Sequence, residues 1–306
     1  MIMQTMIRIG LTTTLLLASS IVMANAKNAK NAKEATLPNN PKSVASFDLG
    51  VVDTLDQLHV PVTALPKQAL PNYLKKYKSS NYVDIGGLKS PDIKKLKQLH
   101  PDLIVISGRQ QAQYDEFANI APTVNLSVDP KGYERSFKNN MVMLGKLFNK
   151  LPEMSTELAF IDKKAQDLQK KVKDLPAKTL ITVHYKGRLM AGDQTSYAGL
   201  INGWLGFKGV DLSEIRKKNS NTPRLVLESK EIAALNPDIL FIIDRGEAIG
   251  EGKLDTNKIE DQYIKQTNAY KNNKIIYLTP DLWYLSGNGL QSVALQMDEV
   301  AQVLKK

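Results

Sequence analysis

Two arginines occupy matched places in an internal repeat. The run Leu99-His-Pro-Asp-Leu-Ile-Val-Ile-Ser-Gly-Arg109 parallels Leu235-Asn-Pro-Asp-Ile-Leu-Phe-Ile-Ile-Asp-Arg245. In each, a helix-like stretch ends at a leucine, a Pro-Asp turn opens an apolar strand, and an arginine follows eight residues after the proline. Open α/β sheets bind ligands just beyond the carboxyl ends of their strands. A guanidinium there stays charged and donates a planar fork of hydrogen bonds to anionic oxygens. A single strand-end arginine is more often a salt-bridged surface residue; the matched pair is what brings anion binding level with that reading.

A second cluster follows the last strand-like run, in Pro280-Asp-Leu-Trp-Tyr-Leu-Ser-Gly-Asn-Gly-Leu290. Trp283 and Tyr284 stand beside Gly287 and Gly289, a pattern of aromatic rings next to backbone that can turn sharply. Trp283 is suited to packing on a ligand ring, and Tyr284 to offering a phenolate oxygen to a ferric ion. The competing reading makes both rings a lid over the core. His59, His100 and His184 are the only histidines and there is no cysteine, so a converging site for bare zinc or manganese is poorly supported. No Gly-x-Ser-x-Gly elbow, phosphate-cradling glycine loop or cysteine nucleophile is present. Asp244 and Asp281 read as isolated acids.

The elements that must position these residues form an α/β pattern. Short apolar runs at Ser43–Phe47, Val83–Ile85, Leu103–Ser107, Thr123–Leu126, Thr179–Tyr185, Ile239–Ile243 and Lys274–Leu278 alternate with helix-like stretches, the signature of parallel-rich sheets. A weaker echo pairs Phe47–Val60 with Tyr197–Val210. The expected fold is two similar Rossmann-like lobes, residues 42–131 and 177–306, joined by a long spine helix over 132–176. Along that spine Met141, Leu144, Leu147, Leu151, Leu158, Ile161, Ala165, Leu168 and Val172 recur at intervals of three and four. Such a helix of about 40 residues would run roughly 60 Å, with Pro152 either restarting or kinking it.

Composition places the chain outside the cytoplasm. A polar start with Arg8, an uncharged apolar stretch to Met23 and the closing Ala24-Asn-Ala26 have the form of a signal peptide over 1–26, too short and hydroxyl-rich for a membrane span. Residues 27–41 read as a flexible leader. The absence of cysteine leaves the stability of an exported chain to its own core, which the roughly 280 residues after the signal can supply. It also excludes a lipidated cysteine, so the expected product is a freely diffusing periplasmic monomer without membrane insertion. The net charge of +10 favours anionic partners, but the lysines are scattered rather than clustered, which argues against nucleic acid.

Taken together, Ile106-Ser-Gly-Arg-Gln110, Ile243-Asp-Arg-Gly246 and Trp283-Tyr-Leu-Ser-Gly-Asn-Gly289 resemble the periplasmic substrate-binding proteins that feed ferric siderophores to ABC importers. The similarity is greatest to binders of catecholate or mixed-type siderophores of the enterobactin and anguibactin type, and it covers residue 42 to the C-terminus. The resemblance implies a binding protein rather than an enzyme, with no intrinsic cofactor, a ferric siderophore as ligand and an importer permease as partner. It implies that Arg109 and Arg245 hold the anionic complex, that Gln110, Tyr197, Trp283 and Tyr284 contact it, and that Tyr284 ligates iron where the complex leaves open positions. Two departures stand out. Tyr197 replaces a third pocket arginine, and the loop Ser220-Asn-Thr-Pro-Arg224 lacks a histidine; Arg224 is then either a substitute charge or a surface residue. Asp92 and Glu231 are candidates for the permease contact. Haem or a corrinoid is the alternative cargo, disfavoured by a count of two tryptophans; an exported enzyme is the alternative of another class.

Overall fold

The computed structural model describes residues 37–304, apart from Asn221 and Pro223. The signal peptide assigned to 1–26 and most of the leader lie outside the described residues. No helix among the described residues is long and apolar enough to cross a membrane.

The first lobe runs β1 (Val44–Ser46), α1 (Leu49–Gln57), β2 (Ala64–Leu65), β3 (Val83–Asp84), α2 (Ile93–Leu99), β4 (Leu103–Ile106), α3 (Tyr114–Ala118) and β5 (Thr123–Asn125). Its five strands lie in the order β3-β2-β1-β4-β5, all parallel. The order reverses between β1 and β4, which makes their carboxyl ends the ligand-binding crevice of such a sheet. Two helices follow, α4 (Tyr133–Leu147) and α5 (Leu151–Val172).

The second lobe contains β6 (Lys178–Tyr185), β7 (Arg188–Ala191), α6 (Ser196–Ala198), β8 (Lys208–Gly209), α7 (Ser213–Lys218), β9 (Val226–Leu227), α8 (Ser229–Leu235) and β10 (Ile239–Asp244). It continues with α9 (Arg245–Ala248), α10 (Asn268–Lys271), β11 (Ile275–Leu278), α11 (Pro280–Tyr284) and α12 (Leu290–Ala301). Its sheet has the order β11-β10-β6-β7-β9, with β8 paired to β6. The strands β6, β8, β10 and β11 are parallel, and β7 alone runs antiparallel to its neighbours β6 and β9. Here the reversal falls beside β6 and β10.

The sequence repeat is one folding device used twice. Helices α2 and α8 both end on a left-handed residue, His100 (φ 48°) and Asn236 (φ 43°). The aspartate of each Pro-Asp turn then clasps the start of the neighbouring strand. Asp102 accepts from the N–H groups of Lys42 (2.8 Å) and Ser43 (2.9 Å), and Asp238 from that of Lys178 (2.8 Å). These clasps set β1 against β4 and β6 against β10. The β4 and β10 side chains are all buried, as continuous apolar runs in a sheet covered on both faces should be.

The expected 40-residue rod is instead two helices laid side by side. Asn149 takes a left-handed conformation (φ 55°) between them, and Pro152 sits in the first turn of α5, where its missing N–H costs nothing. An ion pair of 2.7 Å joins Lys138 of α4 to Asp162 of α5, which a straight rod would hold more than 30 Å apart at about 1.5 Å per residue. The long helix is therefore α5 alone, 22 residues or about 33 Å. Its buried face is Met154, Ile161, Ala165, Leu168 and Val172; Leu151, expected on that face, is 38% exposed.

One apolar cluster runs from Val44 and Leu103 through both spine helices to Phe241, Trp283 and α12, so the lobes share a core instead of merely touching. Backbone contact reinforces this. A Cβ on Gly289 would lie 2.2 Å from the Gly50 carbonyl oxygen, and one on Gly50 2.5 Å from Asn288 N. The buried Asp53 of α1 accepts from the Gln291 (2.9 Å) and Ser292 (2.8 Å) N–H groups that open α12. Asp281, which looked isolated in the sequence, accepts from Asn72 N at 2.7 Å across the lobes.

Candidate functional site

Each strand-end arginine is held by the turn that follows its strand. After β4, Ser107 caps the turn Gly108–Gln113. Its N–H and hydroxyl both donate to the Gln110 side-chain oxygen, at 3.1 and 3.0 Å. The Gln110 amide N–H in turn donates to the Leu88 carbonyl. Gln110 is 1% exposed, so it does not face a ligand as the resemblance implied. Its part is positional: it ties the loop carrying Arg109 to the loop after β3.

Arg109 itself is exposed. Its Nη2 donates to the Tyr284 carbonyl at 2.6 Å, and its guanidinium carbon lies 5.9 Å from the centre of the Tyr284 ring. Arg245 approaches the same ring, at 5.8 Å, from the other lobe. Its guanidinium also lies 3.9 Å from the centre of the Tyr185 ring at the end of β6, a cation–π contact at close range. The Arg245 Nε is buried and has no hydrogen-bond partner among the described residues. The neighbouring Asp244 does not supply one. It accepts from Glu247 N at 2.5 Å at the start of α9, and its other oxygen pairs with His184 Nδ1.

Other predicted residues fall around this pair in different ways. Tyr284, half-buried, joins the two arginines. Trp283 is 1% exposed and its indole N–H donates to Glu299 at 2.6 Å, which makes it the floor behind Tyr284 and not a stacking surface for a ligand. Tyr197 packs edge-on against Trp283, with ring centres 6.1 Å apart and planes at 68°. Burial pushes the Tyr197 hydroxyl up to about 12, with Arg109 opposing and Tyr284 reinforcing the shift; it remains a neutral phenol. Arg224 is exposed, yet it acts on the same region, as Lys89 shows.

Lys89 and Asp48 escaped the sequence reading. Lys89 lies in the tight turn after β3, where Gly86 (φ 94°) approaches so closely that a Cβ would stand 2.6 Å from the Ser90 carbonyl oxygen. Burial lowers its pKa first, and then Arg245, Arg224 and Arg109 lower it further. Four cations thus share one field. Lys89, Arg109, Arg245 and Tyr284 line one open cavity of about 240 Å³. The available signal was a lysine in a glycine-rich turn at the carboxyl end of a strand, on the same sheet edge as Arg109. Asp48 lies two residues past β1 and caps α1, accepting from Gly50 (2.8 Å) and Val51 (3.3 Å). Burial raises its carboxyl to about 6 against the lowering effects of Arg109 and those two N–H groups.

Asp92 and Glu231 are both engaged at helix starts. Asp92 accepts from Lys95 N at 2.9 Å, and Glu231 from Glu228 N at 2.9 Å. No group of three or more His, Asp or Glu side chains converges to hold a bare metal ion among the described residues.

Two α/β lobes on a helical support, with cations from both meeting at one cleft, define a binding protein for an anionic ligand. The chain belongs to the periplasmic binding protein family, whose sequence profile matches residues 44–282. It is 42% identical over 272 residues to the petrobactin-binding protein YclQ of Bacillus subtilis, covering 88% of this chain and 84% of that protein. The solved structure of YclQ superposes with a TM-score of 0.81, over 88% of this chain and 94% of that one, at 41% identity. The ferric-anguibactin-binding protein FatB of Vibrio anguillarum is 32% identical over 271 residues, 86% of this chain and 83% of that protein. The siderophore-binding protein BauB, solved with two molecules of acinetobactin and ferric iron, matches at TM-score 0.77 and 29% identity, over 87% of this chain and 93% of that one.

Proposed function

We propose that the chain captures a ferric siderophore of catecholate or mixed type in the cleft between Arg109 and Arg245 and passes it to an ABC importer. The observation that carries this reading is the convergence of Lys89, Arg109 and Arg245 with Tyr284 on one open cavity, with Arg224 close enough to add to the lowering of the lysine that burial begins. Like charges gathered in a cleft oppose one another until an anion arrives. Opposite charges about 4 Å apart gain around 4 kcal/mol at an effective dielectric of 20, so a multiply anionic complex relieves the repulsion and is held without being enclosed. The similarity to proteins named for petrobactin and ferric anguibactin supports the same cargo class here.

In this reading the iron arrives already chelated, the protein performs no chemistry on it, and no cofactor is resident. Tyr284 ligates iron only where the complex leaves positions open. Export by a signal peptide ending at Ala26, free diffusion in the periplasm as a monomer, and delivery to a permease belong to the same proposal. The test is a titration of residues 27–306 with ferric petrobactin, ferric anguibactin and haemin, followed by tryptophan fluorescence. Saturable quenching by at least one ferric siderophore supports the reading, and quenching by haemin alone overturns it. A Tyr284→Phe variant should change the charge-transfer band of a tetradentate complex and not that of a hexadentate one.

A further inference from the structure

Arg109 has a second open cavity on its other side, of about 290 Å³, which shares only that residue with the cationic one. Its wall is different in kind. Ser127, Ser196, Tyr197 and Asn288 bring neutral hydroxyl and amide groups, and the one further charged side chain is Asp48. Asp48 is 6% exposed. Its Oδ1 takes the two N–H groups of α1, while Oδ2 accepts from no donor among the described residues. The wall can therefore accept hydrogen bonds at Asp48 and at Ser127, whose hydroxyl donates to Asn125 Oδ1 at 2.5 Å, and both donate and accept them at Ser196, Tyr197 and Asn288. The high pKa of Tyr197 keeps its hydroxyl a donor at neutral pH.

We propose that this compartment is a second subsite, which takes an uncharged amide- or hydroxyl-bearing arm of the ligand while the anionic iron centre lies on the Lys89 side of Arg109. The assignment rests on the siderophore reading and adds a division of labour to it. An anion is disfavoured in the second compartment because Asp48 already faces Arg109 there. A cationic arm is disfavoured by Arg109 itself. A neutral group with both N–H or O–H donors and a carbonyl matches the wall on both counts, and a wall built to hydrogen-bond such a group discriminates against one that cannot answer it.

The test uses two synthetic trianionic ferric tris-catecholates that differ only in one appended, uncharged glycinamide arm. The wild-type protein is expected to bind the armed complex at least tenfold tighter. Ser196→Phe and Ser127→Phe, which fill the compartment from two sides, should each erase that advantage and leave the armless affinity within twofold. Thermal melting and the armless titration show that both variants are folded. Equal affinity of the two complexes for the wild type, or an advantage that survives both substitutions, overturns the subsite. If the wild type binds neither complex, nor any ferric siderophore, the siderophore reading itself fails and the subsite goes with it.

Discussion

The two arginines grow out of the same repeat and meet opposite surroundings. At the switch point of the first sheet, Asp48 follows β1 as the cap of α1, so Arg109 stands opposite a built-in acid and is also pinned to the Tyr284 carbonyl. At the equivalent point of the second sheet, β6 ends in Tyr185, whose ring carries Arg245 while its Nε goes unpartnered. The first lobe thus sets its cation facing a buried carboxylate, and the second sets its cation on an aromatic ring. A repeated backbone device can fix where a charge stands without fixing how much of that charge a ligand feels.

Substitutions can break this comparison. Arg245→Ala should have the largest single effect, about a hundredfold loss of affinity for a ferric siderophore, since a charge-assisted contact worth about 3 kcal/mol disappears. Replacing the first lobe's compensated pair together, Arg109→Ala with Asp48→Asn, should cost only about tenfold, or roughly 1.4 kcal/mol. Arg109→Ala alone should cost more than that double change, because Asp48 is left to repel the anion. Fluorescence titration of the three variants decides it, and equal losses from both lobes would remove the distinction.

Smaller effects sharpen it. Tyr185→Leu should weaken binding about fivefold by freeing Arg245 from its ring, at roughly 1 kcal/mol for the contact, while Tyr185→Phe keeps the ring and the affinity. The pH dependence is the smallest. The Asp48 carboxyl, raised to about 6 in the empty protein, rises further when an anion shields Arg109 from it, so binding takes up a proton. Affinity should therefore climb a few-fold as pH falls from 8 towards 6 and level off below, by linkage. Asp48→Asn should flatten the slope, measured with a hexadentate complex that keeps its iron over that range.

Much of this architecture is legible in the sequence. All seven apolar runs contain strands, most plainly β1, β4 and β10, whose residues are buried throughout, as central parallel strands covered on both faces require. The four strands that escape are short or atypical. Ala64–Leu65, Lys208–Gly209 and Val226–Leu227 have two residues each, and Arg188–Ala191 pairs antiparallel. The spine's periodicity was readable, but its reversal at Asn149 was not, since one left-handed residue does not interrupt a pattern of threes and fours. Arg109 and Arg245 stood out because a local motif repeats around them. Lys89, Asp48 and Tyr185 did not, because their importance lies in charges and rings brought to them from distant parts of the chain. Gln110 and Trp283 were visible as motif residues while the direction of their side chains, inward to Leu88 and Glu299, was set by tertiary contacts.

The most direct test of the account combines both lobes. The Arg109→Ala/Arg245→Ala protein is titrated beside the wild type with a ferric siderophore that the wild type binds, and both proteins are melted to confirm that they fold. At roughly 1.4 kcal/mol for each tenfold step, the account predicts at least about a thousandfold loss of affinity with little change in melting temperature. Undiminished affinity in a folded double variant would contradict it.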